Sequence, residues 1–210
     1  MLKTKARLMF QGHDIACERG ERRIFSGLDF QLAPGQALVL RGPNGCGKTS
    51  LLRMAATLLK TAAGRLTWDG VDVAEDPDEH RARLHFIAHQ DAVKGALTVR
   101  ENIATWPKIR GSADARIDMA MAAFGIEHLA DTPAQYLSAG QHRRTALARL
   151  VASRAILWLL DEPTVSLDAD GTACLQQAIM AHRADQGMVM AATHIELGLD
   201  DVEILQLKPQ

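Results

Sequence analysis

The apolar positions of this chain follow two rhythms. Ala37-Leu-Val-Leu40 is a short apolar run that stops just before Gly42, the pattern of a buried strand entering a turn. Ala155-Ile-Leu-Trp-Leu-Leu160 is uniformly apolar and Gly187-Met-Val-Met-Ala-Ala-Thr193 nearly so, which predicts strands covered on both faces. Residues 202–207 predict a last strand. Elsewhere the period lengthens. Residues 48–59 predict a helix with Leu51, Leu52, Ala55, Leu58 and Leu59 on one face, and residues 98–105, 114–124, 141–151 and 172–182 are helical in period too. The first 35 residues differ: Gly12, Gly20, Gly27 and Gly35 punctuate mixed segments, predicting short antiparallel strands joined by turns, and Gly64–Gly70 predicts another strand and turn. Apolar strands alternating with helices predict an α/β fold with a mainly parallel sheet and an antiparallel part near the N-terminus. The helical block interrupts that sheet. The expected organisation is one domain over 1–210, with a core at about 1–90 and 152–210 and a helical subdomain at about 91–151.

Composition narrows the class. Of 210 residues, 47% are hydrophobic and 23% charged, as in ordinary globular chains, which excludes disorder as the main state. Lys and Arg number 24 against 25 Asp and Glu, for a net charge of −1, and this balance speaks against a nucleic-acid partner. Cys17, Cys46 and Cys174 are far apart and odd in number, with no CxxC, so a reducing compartment is expected. The longest unbroken apolar runs are 119–124 and 155–160, whereas a bilayer-spanning helix needs about 20 residues. No apolar stretch of leader length follows Met-Leu-Lys-Thr-Lys. The chain itself is therefore expected to stay out of the membrane.

The chemistry begins at Gly42-Pro43-Asn44-Gly45-Cys46-Gly47-Lys48-Thr49, which fits G-x-x-x-x-G-K-[ST] in full between a strand and a helix. Glycines let backbone N–H groups turn inward with no Cβ in the way. Those donors and the positive end of the following helix form a nest for phosphate. Lys48 would reach the β- and γ-phosphates and the Thr49 hydroxyl would bind Mg²⁺; Ser50 follows in the first helical turn. Cys46 reads as a loop spacer. The loop implies a nucleotide and Mg²⁺. Leu157-Trp-Leu-Leu-Asp161-Glu162 is an apolar strand ending in two carboxylates, a pair that needs positive charge nearby. Asp161 suits an outer ligand of Mg²⁺, and Glu162 suits the group that polarises an attacking water.

With these residues in place, the sequence resembles the ATP-binding subunits of ABC transporters over nearly its whole length. The remaining motifs stand in that family's order: Gln90 as the Q-loop, Leu137-Ser-Ala-Gly-Gln141 as the signature, Ser166-Leu-Asp168 as the D-loop and His194 as the switch histidine. The resemblance implies a P-loop NTPase core with ATP and Mg²⁺ as its ligands. It implies that Gln90 touches Mg²⁺ or the water, and that His194 contacts the γ-phosphate. It also implies that Ser138, Gly140 and Gln141, with Asp168, meet the nucleotide held by a second copy, so that a homodimer closes on ATP. Taken alone, Ser138 is a helix cap. Arg143 and Arg144 read as solvated or dimer-facing charges.

Two positions depart from the family pattern. Ala139 stands where the signature usually has glycine, a methyl group expected to alter how tightly the halves close. The aromatic that usually stacks on adenine is missing; Arg19 is nearest in position, with Cys17 or a shifted residue as alternatives, which leaves the choice between ATP and GTP open.

Within the family, the stretches Lys48-Thr-Ser-Leu-Leu-Arg53, His89-Gln-Asp91 and Tyr136-Leu-Ser-Ala-Gly-Gln-His-Arg-Arg144 are similar to the haem-export subunits of cytochrome c maturation. That implies an integral membrane transporter subunit as partner, with a haem-handling membrane protein and a haem chaperone. It further implies a peripheral place on the cytoplasmic face of the inner membrane. Other ABC exporters, and less readily a non-transport ABC ATPase, remain as alternatives; a small-molecule kinase would not carry the signature. His85 and His89 read as an unligated pair, so no haem ligand is assigned to the chain.

Overall fold

A computed structural model describes residues 8–20, 22–111 and 115–208. Strands β1 (Phe10–Arg19) and β2 (Arg22–Leu32) form an antiparallel hairpin. β4 (Ala63–Trp68) pairs with the free side of β1, and β5 (Val71–Asp72) with β4, giving an antiparallel sheet in the order β2-β1-β4-β5. The expected short strands are thus two long ones, and Gly12 and Gly27 lie inside them rather than at turns. Ile15 faces Leu28 and Cys17 faces Phe25, so Ala16 opposes both Ser26 and Gly27. Gly27 absorbs this bulge at a φ of 65°, which a Cβ would resist.

The second sheet is five-stranded and parallel, ordered β6-β7-β8-β3-β9: β6 (Leu84–Ile87), β7 (Leu157–Asp161), β8 (Met188–Ala192), β3 (Ala37–Arg41) and β9 (Val202–Gln206). Successive side chains of a strand point to opposite faces. The apolar runs therefore feed two cores at once. Leu157 and Leu159, with Met188 and Met190, join Leu38 and Leu40 against the antiparallel sheet and helix α1 (Lys48–Ala55). Trp158 and Leu160, with Val189 and Ala191, face the core shared with the remaining helices. Those helices are α3 (Val99–Ile109), α4 (Ile117–Ala123), α5 (Ala139–Ala152) and α6 (Ala169–Ala184). The first three fall between β6 and β7, as the helical block implied; Asp114, expected in the second, lies outside the described residues.

The end of the first helix differs from the periodic reading, and further elements appear. α1 stops at Ala55 because Thr57 turns into the left-handed region at φ 54°, which leaves Leu58 exposed. α2 (Pro77–Ala82) and β6 were not anticipated. α2 is only six residues long, started by Asp76 accepting from the Glu79 N–H at 2.9 Å with Pro77 in its first turn. His80 ties it down, accepting from Trp68 Nε1 at 2.8 Å while its Nε2 reaches the Ala55 carbonyl at 2.7 Å.

Candidate functional site

β3, β7 and β8 end side by side, and the three loops that leave their carboxyl ends carry the candidate chemistry. Ligands of open parallel sheets bind at that edge. A cleft of about 430 Å³ opens there, lined by Arg19, Ile24, Asn44, Gly45, Gly47, Lys48, Thr49, Ser50, Asp161, Glu162 and His194. A larger groove of about 870 Å³ lies at the opposite end of β7 and β8, bounded by Ile156, Trp158, His182 and Gly187. It holds none of the phosphate-directed groups.

The phosphate loop takes its shape from glycines that no other residue replaces. Gly42 has a φ of 149°, and a Cβ there would lie 2.5 Å from the Leu207 carbonyl oxygen and 2.7 Å from Cys46 Sγ. Gly47 has a φ of 102°, and its Cβ would strike the Phe25 ring at 2.7 Å. Cys46 is buried against this turn, as a spacer would be. α1 starts directly after Gly47 and has no acidic residue in its first turn. Its unpaired N–H groups and its dipole are therefore left for an anion. Lys48, 8% exposed, donates from Nζ to the carbonyls of Gly42 at 2.8 Å and Pro43 at 3.2 Å.

Four further groups converge on the loop. Thr49 Oγ1 lies 3.0 Å from both carboxylate oxygens of Asp161. Burial pushes the Asp161 carboxyl up, and the Thr49 hydroxyl counters this only in part. A buried carboxylate, 3% exposed, beside a hydroxyl under a phosphate nest is the hard-oxygen set that suits Mg²⁺. Glu162 Oε1 is 3.4 Å from His194 Nε2, which in turn is 3.2 Å from Lys48 Nζ. His194 reaches in from the loop after β8, its own carbonyl held by Arg41 at 3.2 Å. Glu162 has a φ of 44°, a left-handed conformation rare outside glycine and common at functional turns.

The other sequence-derived residues stand apart from the cleft. Gln90 is exposed in the bend after β6 and does not line it. Ser138 and Gln141 form a capping box at the start of α5: the Ser138 side chain accepts from the Gln141 N–H at 3.3 Å, and Gln141 Oε1 accepts from the Ser138 N–H at 2.9 Å. Ser138 and Ala139 are exposed, and a Cβ on Gly140 would come within 3.1 Å of the Ser166 carbonyl oxygen. Asp168, also exposed, caps α6 by accepting from the Gly171 N–H at 2.8 Å and pairs with Arg144 at 2.5 Å; this pairing holds its carboxyl below the usual range. Of the positions proposed to meet the base, Arg19 lines the cleft together with Ile24, while Cys17 is buried in the core.

Arg143 corrects the sequence reading. It is 2% exposed rather than solvated, and it bonds to the carbonyls of Asp161, Glu162 and Pro163. The signal was in the helical period: Arg143, Ala146, Leu147 and Leu150 share one stripe of α5, and all four are buried. Arg144 is likewise occupied, with Asp168 and the Phe124 carbonyl.

The comparisons with known proteins bear on the family and the fold. The ABC transporter family pattern matches residues 25–165. A cytochrome c biogenesis ATP-binding export protein CcmA from Rhodospirillum rubrum is 51% identical over 97% of this chain and 87% of its own length. The protein of the same name from Paramagnetospirillum magneticum is 47% identical over 94% and 93%. Among solved structures, a bacterial Atm1-family ABC exporter with ATP bound is 25% identical, with a TM-score of 0.82 over 97% of this chain and 37% of that one. The ATP-binding subunit of an ABC transporter, 19% identical, shares the fold at a TM-score of 0.81 over 89% and 80%. The chain therefore belongs to the ABC transporter family, among its ATP-binding subunits of the CcmA type.

Proposed function

We propose that this chain hydrolyses ATP to ADP and phosphate and thereby drives an export step in cytochrome c biogenesis, in a complex with integral membrane subunits. One observation carries the reading: Lys48, Glu162 and His194 form a chain of 3.2 Å and 3.4 Å contacts at the mouth of the phosphate loop.

The residues divide the work. The loop N–H groups and Lys48 bind the phosphates and offset their charge. Thr49 and Asp161 would hold Mg²⁺, which supplies charge neutralisation across the β- and γ-phosphate oxygens. The Glu162 carboxylate accepts a proton from water as the water oxygen bonds to the γ-phosphorus, and the bond to the β-phosphate oxygen breaks to release ADP. His194, between Lys48 and Glu162, orients that carboxylate and the terminal phosphate. Gln90, exposed on the segment whose Ala88 and Asp91 bond to Arg143, would touch the water or the metal while its loop contacts the membrane subunit. Arg19 offers a guanidinium face to the base.

The second half of the site comes from a second copy. Ser138, Gly140 and Gln141 stand at the exposed start of the otherwise mostly buried α5, whose N-terminal dipole favours anions, and Asp168 lies beside it through Arg144. In a head-to-tail pair this helix would meet the γ-phosphate bound by the other chain, so ATP acts as the glue. The export reading follows the names of the CcmA relatives, which state export in cytochrome c biogenesis, and the cargo of this proposal is haem or a haem-loaded chaperone. No helix among the described residues is long and apolar enough to cross a membrane, which fits a peripheral subunit at the cytoplasmic face of the inner membrane.

The test is a pair of substitutions assayed with the membrane subunits. Glu162→Gln should keep ATP affinity and lower turnover by about 10²–10⁴-fold. Lys48→Ala should lose nucleotide binding or turnover. Unchanged ATPase in either variant would overturn the assignment.

A further inference from the structure

The chain turns at Glu162 in a conformation that side chains with a Cβ keep only when their surroundings hold it. Three bonds hold it here, one of them local, from the Val165 N–H to the Glu162 carbonyl at 3.3 Å. The Glu162 N–H donates to the Ala192 carbonyl at 2.8 Å, and the Glu162 carbonyl accepts from Arg143 Nη2, also at 2.8 Å. The Arg143 fork does more. Its Nη2 also reaches the Asp161 carbonyl at 3.3 Å, its Nε donates to the Pro163 carbonyl at 3.2 Å, and its Nη1 donates to the Ala88 carbonyl at 3.1 Å and Asp91 Oδ1 at 2.5 Å. These five acceptors match the five N–H donors of a guanidinium. Asp91 supplies the counter-charge and also lies 3.3 Å from His142 Nδ1.

Arg143 and its partners come from three separate segments. Arg143 itself sits two residues beyond the Ser138–Gln141 capping box. Ala88 and Asp91 bracket Gln90. Asp161, Glu162 and Pro163 form the catalytic turn. We propose that Arg143 is the positioning residue for Glu162: it fixes the turn that aims the carboxylate, and it makes that aim depend on α5 and on the Gln90 segment. It does not line the cleft. A lysine cannot take its place, because an ammonium has three donors and no planar fork. The inference rests on Glu162 being the general base.

The experiment uses the full chain with Mg-ATP. Arg143→Lys should lower kcat by about 10²-fold, the scale set by a small misplacement of a catalytic group, with nucleotide affinity unchanged. In a Glu162→Gln background the same change should add no further loss, since a residue that acts through Glu162 has nothing left to position. A residue that only held the fold would depress affinity and would also slow the Glu162→Gln variant. Asp91→Asn removes the counter-charge while leaving an amide oxygen that can still accept from Arg143 Nη1, and it covers the case in which Arg143→Lys does not fold; it should lower kcat with affinity intact. Wild-type turnover in a folded Arg143→Lys or in Asp91→Asn, or an undiminished loss in the Glu162→Gln background, would overturn the proposal. Wild-type turnover by Glu162→Gln alone would instead remove the general-base reading beneath it.

Discussion

At the scale of single residues, function is written in positions where backbone and side chain make opposite demands. Gly47 is the clearest. Its φ of 102° and the Phe25 ring 2.7 Å from a would-be Cβ leave no room for alanine. Gly47→Ala should therefore distort the phosphate loop, and Mg-ATP binding by calorimetry should be lost or severely weakened while the two sheets still fold. Binding at wild-type affinity would mean that the loop does not need this turn. Residues also mark the limit of what the sequence discloses. The phosphate loop, Asp161, Glu162 and His194 were legible because each follows an apolar strand at the sheet edge where ligands bind. Arg143 was misread because a charged side chain on a helix is solvated by default. Only carbonyls and a carboxylate from segments 18 to 55 residues away in the chain make its burial affordable.

Elements follow the same division. β3, β7 and β8 were readable because a strand buried on both faces has one chemical signature. β6 was not, because His85 interrupts its apolar run; its ring is buried against the Ser153 carbonyl at 3.1 Å, a contact 68 residues away. Burial pushes His85 down to about 3 from 6.5. His182, stacked on Trp158 with ring centroids 3.9 Å apart, is pushed down by burial to about 4. Both are neutral in the folded chain and charge freely once unfolded. Their stabilising effect is whole above pH 6.5 and is lost as pH falls toward the folded values. Stability by urea denaturation should thus drop between pH 6.5 and about 4, each histidine contributing at most about 1.4 kcal/mol per pH unit. His182→Phe should flatten that slope; an unchanged slope would show that other groups set it. Capping gives a second element-scale expectation. Ser138→Ala removes the α5 cap and should cost about 1 kcal/mol of stability. The proposed trans contact adds a larger loss of ATPase than that destabilisation accounts for. An ATPase loss no greater than the change in folded fraction would leave Ser138 as a cap alone.

On the scale of the whole molecule, two groups of residues face different tasks. The cleft at the ends of β3, β7 and β8 gathers the groups that one chain is proposed to offer the phosphates. The exposed start of α5, beside Ser166 and the Arg144–Asp168 pair, has anion-binding chemistry but is not part of that cleft. No pattern of apolar positions within one chain speaks to whether two such surfaces belong together, since the proposed meeting involves a second chain. The most direct measurement is sedimentation of the Glu162→Gln chain with and without Mg-ATP. A shared site predicts monomers without nucleotide and stable dimers with it, and Ser138→Arg added to the same chain should prevent the shift. Monomers under both conditions, or dimers indifferent to ATP and to Ser138, would contradict it.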